Sequence, residues 1–135
     1  MLQPKRTQYR KHQKGKRRGI RSNQNNFDFG RFGIKALQHG IIEGKRIEAV
    51  RRVMTRRFKR SGQIWIRVFP DIVRTTKPSQ SRMGKGKGGA AYWICRVQPG
   101  QILYEIAGVS TTVMEGAFKI ASHKLGIKIG VFSRD

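Results

Sequence analysis

The chain is predicted to fold as a single α+β domain with mixed or antiparallel strands and two helices, preceded by an extended arm. Two stretches, Glu43 to Arg60 and Thr112 to Leu125, repeat apolar residues at helical spacing. Shorter apolar-rich runs lie between and after them, several of them alternating as strands do. The order is strand, helix, several strands, helix, strand, which is an α+β arrangement.

Residues 1–26 form the arm, and residues 27–135 the domain. Lys5, Arg6, Arg10, Lys11, Lys14, Lys16, Arg17, Arg18 and Arg21 give the arm nine cations, and no acid appears before Asp28. Almost no large apolar residue is present, so a core cannot offset the entropy of ordering this stretch. A basic block of this kind reads as an arm that orders on a polyanion, with Tyr9 and His12 available to stack on bases.

From Glu43 to Arg60, Ile47, Val50, Met54 and Phe58 share one face, which is assigned to the core. Eight cations, from Lys45 and Arg46 to Lys59 and Arg60, occupy most of the remainder, against only Glu43 and Glu48. The ion pairs that stabilise a solvated helix are mostly missing, and Arg51-Arg52 and Arg56-Arg57 are expected to repel unless phosphate lies between them. Gly62 is the expected stop. A strand follows from Ile64 to Phe69 and ends at Pro70. Ala91–Val97 and Gln101–Ala107, joined at Pro99-Gly100, read as an antiparallel hairpin. In the second helix Val113, Ala117, Ile120 and Ala121 share a face with Met114, Phe118 and Leu125. Thr112 with Glu115 fits a capping box, and Gly126 fits a C-terminal cap. The last strand runs from Ile127 to Phe132.

Charge narrows the function. Thirty Lys and Arg against seven Asp and Glu give 135 residues a formal net charge of +23. So much charge of one sign works against a compact state, and a polyanion such as nucleic acid relieves it. No apolar run is long enough to span a bilayer, and the polar N-terminus lacks a secretory signal's apolar stretch. An Arg-rich transit peptide shares the arm's basic, acid-poor composition. Cys95 has no partner for a disulfide and reads as a small core residue. The acids are scattered, His12, His39 and His123 lie far apart, and no zinc-ligand spacing occurs, so no catalytic or metal-binding residue is assigned. Trp65 and Trp93 are assigned to packing ahead of base stacking.

Ser79 to Gly89 is the most unusual segment. Gly84, Gly86 and Gly89 satisfy G-x-G-x-x-G, but a strand follows where a dinucleotide fold needs a helix. No Lys-Ser or Lys-Thr follows Gly89, so the P-loop pattern fails too, and no cofactor is expected. Glycines let a backbone approach a ligand closely, and Arg82, Lys85 and Lys87 add charge. The segment therefore reads as a loop able to enter a narrow, phosphate-lined space.

Several motifs together resemble a known family. They are Met1-Leu2-Gln3-Pro4-Lys5-Arg6-Thr7, Ile47-Glu48-Ala49 with Arg51-Arg52, and Ile64-Trp65-Ile66-Arg67-Val68-Phe69-Pro70-Asp71. Arg82-Met83-Gly84-Lys85-Gly86-Lys87-Gly88, Pro99-Gly100 with Leu103-Tyr104-Glu105, and Gly108-Val109 complete the set. In this order and spacing the chain resembles the large-subunit ribosomal proteins of the L-sixteen family, of bacterial and organellar type. The family usually has Pro where Gly126 stands, and the match is thin from Gln38 to Gly44.

The resemblance implies a hammerhead-like β-motif and a place on large-subunit, 23S-type rRNA beside the tRNA-binding cleft. Its rRNA-facing residues map onto Lys5, Arg6, Arg10, Lys11, Lys14, Lys16, Arg17 and Arg18 of the arm, and onto Arg51, Arg52, Arg56 and Arg57. Arg82, Met83, Gly84, Lys85, Gly86, Lys87 and Gly88 map onto the loop at the tRNA site. Charge alone selects the same three segments. Implied partners are rRNA, tRNA and neighbouring ribosomal proteins, with no membrane and no homo-oligomer. The family's usual start coincides with Met1, which is read as leaving no presequence, and divergence elsewhere leans the assignment towards a mitochondrion over a bacterial cytoplasm. The rival readings are a nucleotide-dependent enzyme using Gly84 to Gly89, and a DNA-architectural or antimicrobial-type cationic protein.

Overall fold

Apolar stripes at helical spacing and short strands sort this chain into two sheets and one pair of helices. In the computed structural model, residues 2–13, 15, 18–19 and 26–134 are described. The elements in order are β1 (Phe32–Ala36), β2 (Gly40–Glu43), α1 (Gly44–Arg57), β3 (Gln63–Ile66) and β4 (Ile72–Thr76). β5 (Gly89–Val97), β6 (Ile102–Ala107), α2 (Thr111–Leu125) and β7 (Ile129–Ser133) follow. One sheet has the order β3-β6-β1-β7 and the other β2-β5-β4, and every strand pairing is antiparallel. The α+β class expected from the sequence is the one observed.

The α1 stripe faces inward as its spacing requires. Ile47, Val50 and Met54 are fully buried and Phe58 nearly so. Tyr104 of β6, also fully buried, donates its hydroxyl proton to the Ile47 carbonyl at 3.0 Å. That bond satisfies the one polar atom of a large core side chain, and burial pushes its ionisation upward. α2 packs against α1 through Met114, Ala117, Ala121 and Leu125. Val113 and Phe118 are half-buried beside this core, whereas Ile120, expected on the same face, is exposed.

Gly126 ends α2 in the left-handed region at φ 71°, as its type suggested. The Arg46 guanidinium donates to the Leu125 carbonyl at 3.4 Å, placing a cation at the negative end of that helix. The expected capping box is absent: α2 starts at Thr111 with Ser110 as N-cap, and the Ser110 hydroxyl lies 3.3 Å from that of Thr112. Gly62 is likewise not the stop of α1. The helix ends at Arg57, and Lys59 and Arg60 already take φ values of 51° and 65°. Gly62 has another task, since a Cβ there would lie 2.7 Å from the Ala107 carbonyl oxygen where β3 enters beside β6.

The expected β5–β6 hairpin does not form. β5 pairs with β2 and β4, while β6 pairs with β1 and β3 in the other sheet. The Pro99-Gly100 turn is where the chain changes sheets. Gly100, at φ 86°, donates its N–H to the Ala36 carbonyl at 2.8 Å, and the Ala36 N–H donates to Gln101 at 2.9 Å. Those two bonds draw the chain onto β1 and away from β5.

Candidate nucleic-acid interface

A helix that buries one stripe must show its other residues to solvent, and on α1 those are mostly arginines. Arg52, Arg56 and Arg57 are exposed and Arg51 is half-buried. Contrary to the expected repulsion, Glu48 grips the first pair. It accepts from Arg51 Nε and Nη2 at 2.9 and 2.7 Å and from Arg52 Nε at 3.1 Å. The Arg51 hydrogen bond, opposed by desolvation and reinforced by Arg52, holds the Glu48 carboxyl down to about 2. Arg56, Arg57, Lys59 and Arg60 have no carboxylate at ion-pair distance among the described residues. With Arg51, Arg52 and Thr55, three of these, Arg56, Lys59 and Arg60, line an open recess of about 730 Å³. Lys59 and Arg60, expected on the helix, lie just beyond its end in the left-handed region and still line this recess.

The arm begins beside α1. Leu2 packs against the core, and its carbonyl lies near Gly44, where a Cβ would approach it to 3.1 Å. Leu2, Lys45, Glu48, Ala49 and Arg52 border one recess, which carries the basic surface from helix to arm. Lys5, Arg6, Arg10, Lys11 and Arg18 are exposed. Lys14, Lys16 and Arg17 lie outside the described residues. Further along, the arm crosses the second sheet. The register places Ile41 opposite Arg96 and Arg74 opposite Tyr92 on one face, while Ile42, Cys95 and Val97 enter the core from the other. His12, Gln13 and Gly15 lie over the first face, where they border a recess of about 230 Å³ with Ile41, Ile72, Ile94 and Arg96.

The Gly-rich loop joins β4 to β5, whose register closes at Thr76 opposite Gly89. It therefore leads into a strand, and the helix N-terminus that a pyrophosphate site requires is missing here. Arg82, Met83, Gly84, Lys85, Gly86 and Lys87 are exposed, Met83 completely, and Gly88 is half-buried. Added Cβ atoms at Gly84 and Gly86 would meet nothing within 4 Å. Those glycines answer no packing need inside the protein and leave bare backbone facing outward. Gly88 differs, because a Cβ there would lie 2.4 Å from the Thr76 carbonyl oxygen. Lys77 steadies the loop by donating to the Gly84 carbonyl at 2.6 Å.

A buried acid, to which the sequence reading gave no structural role, fixes where the arm joins the domain. Glu105 of β6 is fully shielded from solvent and accepts through Oε2 from the N–H groups of Asp28, Phe29 and Gly30 at 3.1, 2.7 and 2.9 Å. Its Oε1 accepts from Arg67, which also pairs with Asp28 at 2.6 Å. Desolvation raises the carboxyl, but the three N–H groups and Arg67 outweigh it and hold Glu105 below the usual carboxylate range. Phe29 is thereby set against Trp65, with ring centroids 5.8 Å apart and planes 18° from parallel. The packing assigned to Trp65 is thus a stack on a neighbouring ring.

Among the described residues, no cluster of His, Cys, Asp and Glu could hold a metal ion, and no helix is long and apolar enough to cross a membrane. Comparison with known proteins gives a consistent result. The profile of the ribosomal protein L16p/L10e family matches residues 4–132. The chain is 52% identical over 134 residues to the large ribosomal subunit protein uL16 of Thioalkalivibrio sulfidiphilus, covering 99% of this chain and 98% of that one. It is 55% identical over 127 residues to the protein of that name from Wigglesworthia glossinidia brevipalpis, covering 94% and 93%. With the Aeromonas hydrophila protein it shares 52% over 128 residues, covering 95% and 93%. These relatives are bacterial, which does not favour the mitochondrial location towards which the sequence leaned.

Proposed function

This chain belongs to the ribosomal protein L16p/L10e family, and on that premise we propose that it is a structural constituent of the large ribosomal subunit that binds 23S-type rRNA beside the tRNA cleft. The family consists of ribosomal structural proteins and not enzymes, so no reaction is assigned. Residues 1–26 act as the rRNA-binding arm, 27–135 as the domain, and the loop at 79–89 as the part that reaches the tRNA site. Its partners are rRNA, tRNA and neighbouring ribosomal proteins, and it works as a single copy without a membrane.

The observation that carries this reading is the unneutralised run at the end of α1. Arg56, Arg57, Lys59 and Arg60 gather there without a carboxylate among the described residues, on a surface that continues through Lys45 to the arm. Cations held together in this way repel one another, and phosphates relieve that repulsion while releasing condensed counterions. Lys and Arg contacts of this kind fix position and register on RNA without reading sequence. The test is co-sedimentation of the full chain with large ribosomal subunits in high-salt gradients. Retention of the parent protein and loss of an Arg56→Glu, Arg60→Glu variant is the expected result. Equal retention of both, or preference for duplex DNA over folded rRNA, defeats the reading.

A further inference from the structure

Arm and loop, far apart in sequence, hold each other in the folded chain. Lys11 Nζ donates to the Lys87 carbonyl at 3.4 Å, and Lys87 Nζ donates back to the His12 carbonyl. The same stretch of arm is gripped twice more: Arg96 Nη2 donates to the Gln13 carbonyl at 2.9 Å, and Gln98 Nε2 to the Arg18 carbonyl at 2.8 Å. In these last three bonds the donor lies at the loop's end, in β5 or just after it, and the acceptor is arm main chain. A main-chain carbonyl is a fixed acceptor, so these bonds strap the arm to the domain by its backbone at His12, Gln13 and Arg18.

The three loop cations are therefore not equivalent. Lys87 directs its ammonium onto the arm at the His12 carbonyl, whereas Arg82 and Lys85 have no hydrogen-bond or ion-pair partner among the described residues. Glycines at 84, 86, 88 and 89 leave the loop with much backbone freedom to lose. A loop that must present two cations to phosphate binds better when that freedom is already restricted.

We propose that Lys87 is a positioning residue, which buckles residues 11–13 of the arm across the base of the loop and so sets the direction in which Arg82 and Lys85 point. The proposal rests on the nucleic-acid reading above, and it departs from treating Lys87 as a phosphate contact.

The test uses the full chain carrying Cys95→Ala and a spin label at Met83→Cys, a position wholly exposed to solvent. Lys87→Gln is expected to raise the label's mobility as much as deletion of residues 1–13 does, and the combined variant no further. Lys87→Arg, which keeps a donor, restores the parent spectrum, and Lys85→Gln never alters it. Polyuridylate binding supplies the second readout. Lys85→Gln lowers the slope of log affinity against log salt by about 0.7, the value for one single-strand phosphate contact. Lys87→Gln weakens binding several-fold with the slope unchanged. An unaltered label spectrum in Lys87→Gln, or a slope loss equal to that of Lys85→Gln, overturns the proposal. Failure of the parent chain to bind polyuridylate counts against the nucleic-acid reading alone, because the label still judges the strap.

Discussion

Glu105 and Arg67 form an ion pair in which the carboxylate is wholly buried and the guanidinium three-quarters so. The same carboxylate gathers the three N–H groups at residues 28–30, so one acid ties β6, the segment after β3 and the root of the arm. Charge burial of this quality is stable only while every partner is present.

Glu105→Gln is therefore expected to cost about 3–5 kcal/mol, the range for breaking one side of a buried pair. The pH dependence has a definite sign. Because the folded carboxyl lies below its ordinary value of 4.5, its contribution is complete above that pH and is lost as pH falls through the folded value. Urea unfolding across an acid series should show the parent converging on the variant as pH drops. A constant gap down the whole series would show that the charge on Glu105 contributes nothing.

The two faces of α1 should respond oppositely. Met54→Ala empties a fully buried site and should lose about 2–5 kcal/mol. Arg56→Glu should leave the unfolding midpoint within about 0.5 kcal/mol of the parent, as surface changes do, while weakening association with large subunits. Arg51→Glu is not an equivalent probe, since it places a second acid against Glu48. A silent Met54→Ala beside an unfolded Arg56→Glu would invert the assignment of faces.

At the end of α2, Gly126→Ala should destabilise by about 1–2 kcal/mol from the left-handed backbone alone. The added Cβ would also sit 2.5 Å from Arg46 Nη1 and push it off the Leu125 carbonyl. Gly126→Pro should be worse, because its ring fixes φ near −65° where 71° is needed. Thermal unfolding of the two variants, ordered parent, Ala, Pro, checks this.

What the sequence disclosed follows from which signals survive folding. The α1 stripe was legible because Ile47, Val50, Met54 and Phe58 all meet one core. β1 was not placed although Phe32, Ile34 and Ala36 alternate with Gly33 and Lys35 as strand residues do, because five residues make a short signal. The false hairpin arose because Pro99-Gly100 reads as a turn whether the flanking strands pair or part; a bond to distant Ala36 decides the matter. The strap was invisible for a related reason. A lysine bonding a main-chain carbonyl 75 residues away leaves no pattern in either segment. Glu48 could have been found, since Arg at i+3 and i+4 is the spacing for a helix ion pair.

Deleting residues 1–21 removes nine cations and, among the described residues, little of the core beyond the packing of Leu2. The domain should still unfold cooperatively. If all nine cations meet phosphate, the salt slope for rRNA binding falls by up to about eight, and by less where the contacts are to single strands. Titration of both proteins against one rRNA fragment at several salt concentrations measures the difference. An unchanged slope would make the arm a spectator.

The loop separates function from fold. Arg82 and Lys85 are exposed with no hydrogen-bond or ion-pair partner among the described residues, and added Cβ atoms at Gly84 and Gly86 would meet nothing within 4 Å. Arg82→Ala with Lys85→Ala should therefore leave the unfolding midpoint unchanged within about 0.5 kcal/mol. On the proposed function their charge acts outward, to steer and hold a phosphate backbone at a distance the glycines permit. Subunits assembled with this variant should sediment normally yet bind tRNA more weakly or form peptide bonds more slowly. Adding Lys87→Ala should deepen the defect by loosening the loop, since that ammonium is bonded to the His12 carbonyl. Normal tRNA affinity together with normal peptide synthesis in the doubly substituted subunits would reduce the loop to a connection between β4 and β5.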